Sequence, residues 1–124
     1  SCREVPHTTE ALAYRFESAA GSVCYSGDTA YDPGLAEFAR WADLFILECT
    51  LAPGSRVAGH LRVPEALELA RASRARKTLL SHLSPGSEAA LSARAATPRV
   101  ALAEDLLRVK VSRKSSTMLS KRGT

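Results

Sequence analysis

Apolar positions along the chain switch between runs with a period near two and runs with a period near 3.6, and each switch marks a predicted element. Leu12-Ala13-Tyr14-Arg15-Phe16-Glu17 has the pattern of a half-buried strand. Ala20-Gly21 supplies a hairpin turn, and Val23-Cys24-Tyr25 returns as a second strand. Asp32 and Pro33 then open a helix, the first as N-cap and the second at the first helical position. Its apolar stripe is Leu35, Phe38, Ala39 and Ala42, with Trp41 expected to pack near its end.

Leu44-Phe45-Ile46-Leu47 is a continuous apolar run, which suits a strand buried on both faces, and it stops at Glu48. Pro53-Gly54-Ser55 and Gly59 make the next segment a loop that carries His60. A helix over 64–73 follows with Ala66, Leu67, Leu69 and Ala70 inward, then a buried strand over 78–81 with His82 at its end. Pro85-Gly86 breaks the chain before an Ala-rich helix over 87–95. Strands over 100–103 and 106–111 are expected to close the sheet, the second with one wet face. The order β-β-α-β-α-β-α-β-β describes one α/β (α+β) layer, a mixed sheet with about three helices over it. No repeat at solenoid periods and no linker divides the chain. Residues 1–111 therefore read as one domain and 112–124 as a basic, disordered tail.

Composition narrows the class. The chain has 124 residues, 45% hydrophobic and 24% charged, as a soluble globular domain has. No apolar run approaches the roughly 20 residues needed to span a bilayer, and no signal-peptide pattern opens the chain. A first residue that is Ser1 and not Met points to a processed or cut piece. Three cysteines without CxxC spacing fit a reduced, cytoplasmic setting better than a disulfide framework. The net charge of +4 is mild. Arg71, Arg74, Arg76 and Lys77 fall around the last turn of a predicted helix, where cations suit the helix dipole; the other reading is contact with phosphate or RNA.

The candidate chemistry sits at the ends of elements. Ser26-Gly27-Asp28-Thr29 ends a strand and leaves a carboxylate at the lip of the sheet. Asp28 is either an Asx-type turn residue or a metal ligand whose two oxygens can bridge cations roughly 3.5–4 Å apart. His82 is either a satisfied buried histidine or a ligand. His7, in Val5-Pro6-His7-Thr8, taken alone is a surface histidine. Glu48, at the end of an apolar strand, needs a partner, and pairing with His60 would orient that ring for general acid work. A cap or salt bridge for Glu48 and an exposed loop position for His60 are the plainer readings. No histidine has an obvious serine or cysteine nucleophile beside it, and no glycine-rich phosphate loop is present.

Taken in order, five segments resemble the metallo-β-lactamase superfamily, and within it the ribonuclease Z-like and phosphodiesterase-like branch. They are His7…Ala13-Tyr14-Arg15, Tyr25-Ser26-Gly27-Asp28-Thr29, Glu48-Cys49-Thr50, Gly59-His60-Leu61 and Leu80-Ser81-His82-Leu83-Ser84. The resemblance implies a metal-dependent hydrolase acting on a small-molecule ester or phosphodiester, or on RNA. It implies two divalent metal ions, zinc foremost with manganese or iron as alternatives, and a metal-activated water. By the same resemblance His7 completes the shell of one metal, Asp28 bridges, and His82 is the last ligand of the other. His60, backed by Glu48, is then the proton donor to the leaving group.

The superfamily's His-x-His-x-Asp-His signature is nowhere in this sequence. Its fold pairs two α/β layers in an αββα sandwich, and this chain is similar to the C-terminal layer alone. The expectation is therefore a piece of an enzyme, inactive by itself, that lacks its N-terminal half as a partner and needs no membrane. The sheet face meant for that half would be open to association, as in a homodimer. The rival reading is a non-catalytic basic nucleic-acid-binding or interaction module in which Arg71, Arg74, Lys114 and Lys121 carry the affinity. A lack of interleaved exposed aromatics argues against specific RNA readout by such a module.

Overall fold

The computed structural model describes residues 1–94, 97–113 and 117–119. Six strands hydrogen-bond in chain order into one mixed sheet. The strands β1 (Cys2–Glu4), β2 (Leu12–Glu17) and β3 (Ser22–Tyr25) form an antiparallel meander. From β3 onward β4 (Leu44–Glu48), β5 (Thr78–Ser81) and β6 (Val100–Leu102) are parallel. Each parallel step is bridged by a helix: α1 (Pro33–Phe38), α2 (Val63–Ser73) and α3 (Pro85–Ser92). Successive right-handed crossovers that step in one direction put every helix on the same face of a sheet. Accordingly α1 packs on α2, and α2 packs on both α3 and β4.

Local chemistry sets the helix ends. The Asp32 carboxylate accepts the Gly34 N–H at 2.9 Å and takes an Arg3 ion pair at 2.7 Å, and Pro33 opens α1. Ser84 and Ser87 cap α3 reciprocally, with Pro85 at its start. Between sheet and helices lies the core, with Cys24, Phe45, Leu47 and Leu80 meeting Leu35, Val63, Ala66 and Leu69. The opposite face is open. Leu12, Tyr14, Phe16 and Tyr25 are exposed there, and Tyr14 faces Tyr25 in the register.

Several expectations need correction. The first strand, β1, carries no apolar period because it has only three residues, and it adds an edge that the pattern does not announce. The helix α1 ends at Phe38, because the Arg15 guanidinium donates to the carbonyls of Phe38 and Arg40 at 2.9 Å each and stops it. Trp41 does not pack inward: it takes a left-handed φ of 59° and is 57% exposed. The strand expected over 106–111 does not close the main sheet. Leu106 turns the chain away with a φ of 64°, and β7 (Arg108–Lys110) pairs instead with β8 (Thr117–Leu119) in a separate two-stranded sheet. That second strand falls within the stretch read as a disordered tail; Lys114 and Lys121 lie outside the described residues. The third helix also departs from the expected 87–95: it starts at Pro85, where Ser84 caps it, and stops at Ser92; Ala95 itself lies outside the described residues.

Candidate metal centre

Glu48 is the knot of the site. It ends β4, opposite Ser81 of β5, and is 2% exposed. A buried carboxylate without partners costs several kcal/mol, so its donors decide the local fold. One oxygen, Oε1, accepts the Thr29 N–H at 2.9 Å and His60 Nδ1 at 2.7 Å. The other, Oε2, accepts the Thr50 N–H at 3.2 Å, the Thr50 hydroxyl at 3.0 Å and the Leu61 N–H at 3.1 Å. The loops after β3 and after β4 are thereby drawn to a single side chain.

The segments that carry the other candidates are fastened around it. Ser26 accepts the Glu48 N–H at 3.0 Å and donates to the Gly27 carbonyl at 2.7 Å. Gly27 has a φ of 60°, and a Cβ there would lie 2.7 Å from the Leu12 carbonyl oxygen, so the turn presenting Asp28 needs glycine. The Pro6 carbonyl accepts the Ala30 N–H at 2.7 Å, which ties the His7 segment to the Asp28 loop. The Gly59 carbonyl accepts His7 Nδ1 at 2.5 Å. Gly59 also has a positive φ, 88°, and a Cβ would press on Thr8 and on His7 itself. His82 leaves β5 with a left-handed φ of 54°. A left-handed backbone is unusual for a residue with a Cβ and clusters at functional sites.

These ties bring the candidates together. The rings of His7 and His60 lie 4.9 Å apart and those of His60 and His82 5.4 Å apart. His82 Nε2 stands 3.8 Å from Asp28 Oδ1. Ligand atoms of His7, Asp28 and His60 all lie within 4.8 Å of one another. The tightest donor set thus contains His60, which the resemblance assigned to proton donation, while His82 approaches Asp28 separately. Imidazole and carboxylate donors at this spacing fit a divalent cation. His7 and His60 each engage Nδ1 with an oxygen acceptor, which leaves Nε2 of either ring open to a metal or to proton transfer. Neither buried thiol belongs to this donor set; burial pushes Cys24 up to about 11, and burial with the Glu48 carboxylate pushes Cys49 up to about 12.

The family model of the beta-lactamase superfamily domain matches residues 1–83. The chain belongs to the metallo-β-lactamase superfamily. It is 38% identical over 97 residues to a ribonuclease Z of Methanothermobacter thermautotrophicus, covering 72% of this chain and 32% of that one. It resembles the metallo-β-lactamase fold protein YhfI of Bacillus subtilis with a TM-score of 0.63 and 29% identity, over 67% of this chain and 35% of that one. A diphosphatase of the PhnP family shares the fold, with a TM-score of 0.68 and 24% identity over 88% of this chain and 42% of that one. The chain spans about a third of the length of the curated relatives it matches.

Membership places the chain in a superfamily that includes hydrolases such as ribonuclease Z and that uses divalent metals. Among the described residues no helix is long and apolar enough to cross a membrane. What residue reading missed in this superfamily site is its scaffold: Ser26, Thr29, Thr50 and the carbonyls of Pro6 and Gly59. Thr50 carried one signal, a hydroxyl two residues after a buried acid, where short side-chain turns form. Ser26 acts through its hydroxyl, and the others through backbone groups that every residue type shares.

Proposed function

We propose that this chain is the C-terminal half of a metal-dependent hydrolase that cleaves a phosphodiester, in RNA or in a small molecule. The convergence of His7, Asp28, His60 and His82 from separate loops around one sheet edge carries this reading. In it His7, Asp28 and His82 hold two divalent ions together with ligands from an N-terminal half that carries the missing His-x-His-x-Asp-His. Zinc, or manganese or iron in its place, would supply Lewis acidity at that position.

The work of this chain's own residues follows from their bonds. Asp28 is half-exposed with Oδ1 toward His82, and its carboxylate is the group that would bridge the two ions. Glu48 accepts from His60 Nδ1 and fixes the ring, so that Nε2 faces the leaving group. As a water oxygen bonds to phosphorus and releases its proton to solvent, the P–O bond to the leaving group breaks; the leaving oxygen takes the Nε2 proton, and the ring recovers one from solvent. The open face bearing Tyr14, Phe16 and Tyr25 is where the N-terminal layer packs. Free cysteines at positions 2, 24 and 49 suit a reduced, cytoplasmic setting.

Calorimetric titration of the chain with zinc or manganese tests the metal half of the reading. Saturable binding lost in Asp28→Ala and weakened in His7→Ala and His82→Ala is expected. Binding indifferent to Asp28→Ala refutes it. The isolated chain should not turn over bis(p-nitrophenyl) phosphate; turnover abolished by Asp28→Ala would refute the assignment as half an enzyme.

A further inference from the structure

A second site lies at the opposite end of the sheet. Asp43 precedes β4 and Arg76 comes two residues before β5, whereas Glu48 and His82 stand at the far ends of those strands. Five strand residues separate the two ends by on the order of 15 Å. A cleft of about 280 Å³ opens there, lined by the guanidinium groups of Arg15, Arg76 and Arg113 and by Trp41.

The two carboxylates in this cleft are already engaged. Glu17 pairs with Arg15 Nε at 2.6 Å. Asp43 accepts the Ser22 N–H at 2.9 Å and its hydroxyl at 3.1 Å, with Arg76 Nε at 3.4 Å. The guanidinium groups are positioned but not exhausted. Arg113 spends Nε and Nη2 on the carbonyls of Ala19 and Ser18, and Arg76 meets Asp43 through Nε. Arg113 Nη1 and both Nη groups of Arg76 make no further hydrogen bond among the described residues. Planar, permanently charged forks held at the wall of a cleft suit a phosphate oxygen.

Trp41 supplies the other half. It is the single tryptophan of the chain, 57% exposed, and held in the left-handed region with its backbone N–H donating to the Ser73 carbonyl at 2.9 Å. For a bulky side chain that conformation is a genuine outlier, and it keeps the indole at the cleft mouth. The Arg74 guanidinium lies over one face of the ring, 5.4 Å from its centroid, so a base would take the other face. An exposed indole beside reserved guanidinium groups is the pairing that takes a base and its phosphate.

We infer that this cleft binds one nucleotide unit of a single-stranded nucleic acid, the phosphate on Arg76 and Arg113 and the base on Trp41. The site needs no metal and stands whether or not the hydrolase reading holds.

Quenching of Trp41 fluorescence by a short oligoadenylate, with EDTA present, is the direct test. Saturable quenching is expected, with AMP weaker and inorganic phosphate weaker still. The affinity should fall with salt at a log–log slope of about −0.7 for each phosphate contacted. Arg76→Gln/Arg113→Gln should weaken binding about tenfold or more, with circular dichroism unchanged. Arg15 stays intact because it caps α1. Trp41→Asn, which tolerates the same backbone, should cost about fivefold or more when read by anisotropy of a labelled oligoadenylate. Asp28→Ala should change nothing. Absence of saturable quenching, a flat salt dependence, inorganic phosphate matching AMP, or full affinity in either cleft variant overturns the inference.

Discussion

Replacing Glu48 by glutamine keeps the shape of the side chain and removes half of its capacity to accept. In the better orientation the amide oxygen takes the place of Oε1 and keeps the Thr29 N–H and His60 Nδ1. The amide nitrogen then faces the N–H groups of Thr50 and Leu61, which lose their acceptor; the Thr50 hydroxyl can turn and accept instead. Two backbone donors are stranded, Leu61 of them fully buried, at about 1–3 kcal/mol each. Glu48→Gln should therefore lower unfolding free energy by about 2–6 kcal/mol, a large share of the 5–15 kcal/mol that holds a typical domain. His60→Ala removes one donor and leaves Glu48 with four, so it should cost only about 1 kcal/mol. Urea unfolding followed by far-ultraviolet circular dichroism measures both, with the midpoint shifting at constant m-value. A Glu48→Gln variant as stable as His60→Ala would refute the claim that this carboxylate organises the site.

Gly27→Ala forces a Cβ into a left-handed residue and onto the Leu12 carbonyl oxygen, and should cost about 2 kcal/mol or more in the same unfolding assay. An unchanged midpoint would show that the Asp28 turn does not need its present backbone. In native protein a thiol reagent near pH 8 should label Cys2 alone, since Cys2 is exposed and burial raises the other two; urea should release all three. The sign of the linked pH dependence follows. Below the ordinary thiol value of 9.0 both states hold the proton; between there and about 11, the unfolded chain loses protons that the native Cys24 and Cys49 keep, so stability falls as pH rises. A flat stability between pH 9 and 11 would contradict it. Phe16→Lys should lower concentration-dependent association in sedimentation, because Phe16 is 63% exposed on the open face; equal association in both proteins would remove that face from the interface.

The sheet centre was legible because its physics is local. Buried parallel strands show as an unbroken apolar run at 44–47 and as the Leu79-Leu80 pair within 78–81, and Asp32-Pro33 announces a helix start. The failures are places where a distant group decides. Arg15 reaches across the sheet to end α1, and Trp41 is left outside as a result. Leu106 adopts a left-handed turn with no glycine to signal it, which diverts β7 from the sheet. At the site, ordered motifs pointed to Asp28, Glu48 and His60, whereas spacing along the chain carries no information on whether His60 or His82 stands nearer to His7. That depends on the Gly59 carbonyl, which locks the His7 ring beside the His60 loop.

The open face and the metal-donor cluster are mechanically linked, and the link runs through β2. Gly27 rests against the backbone of Leu12, close enough that one added carbon would collide with it. Leu12 faces outward on the same surface as Tyr14 and Phe16, whose rings stack 6.3 Å apart. Any layer that packs on those side chains loads β2, and β2 sets where the Asp28 turn can sit. The segment after β7 adds a second brace: the Arg113 N–H donates to the Ala20 carbonyl at 2.9 Å, and Val111 lines a shallow cleft with Phe16 and Val23. Covering the face should thus tighten the Asp28 carboxylate at no cost in new ligands. A complementary layer added in trans should raise metal affinity even when its own ligand residues are replaced by alanine, and a gain that vanishes with those ligands would break the link.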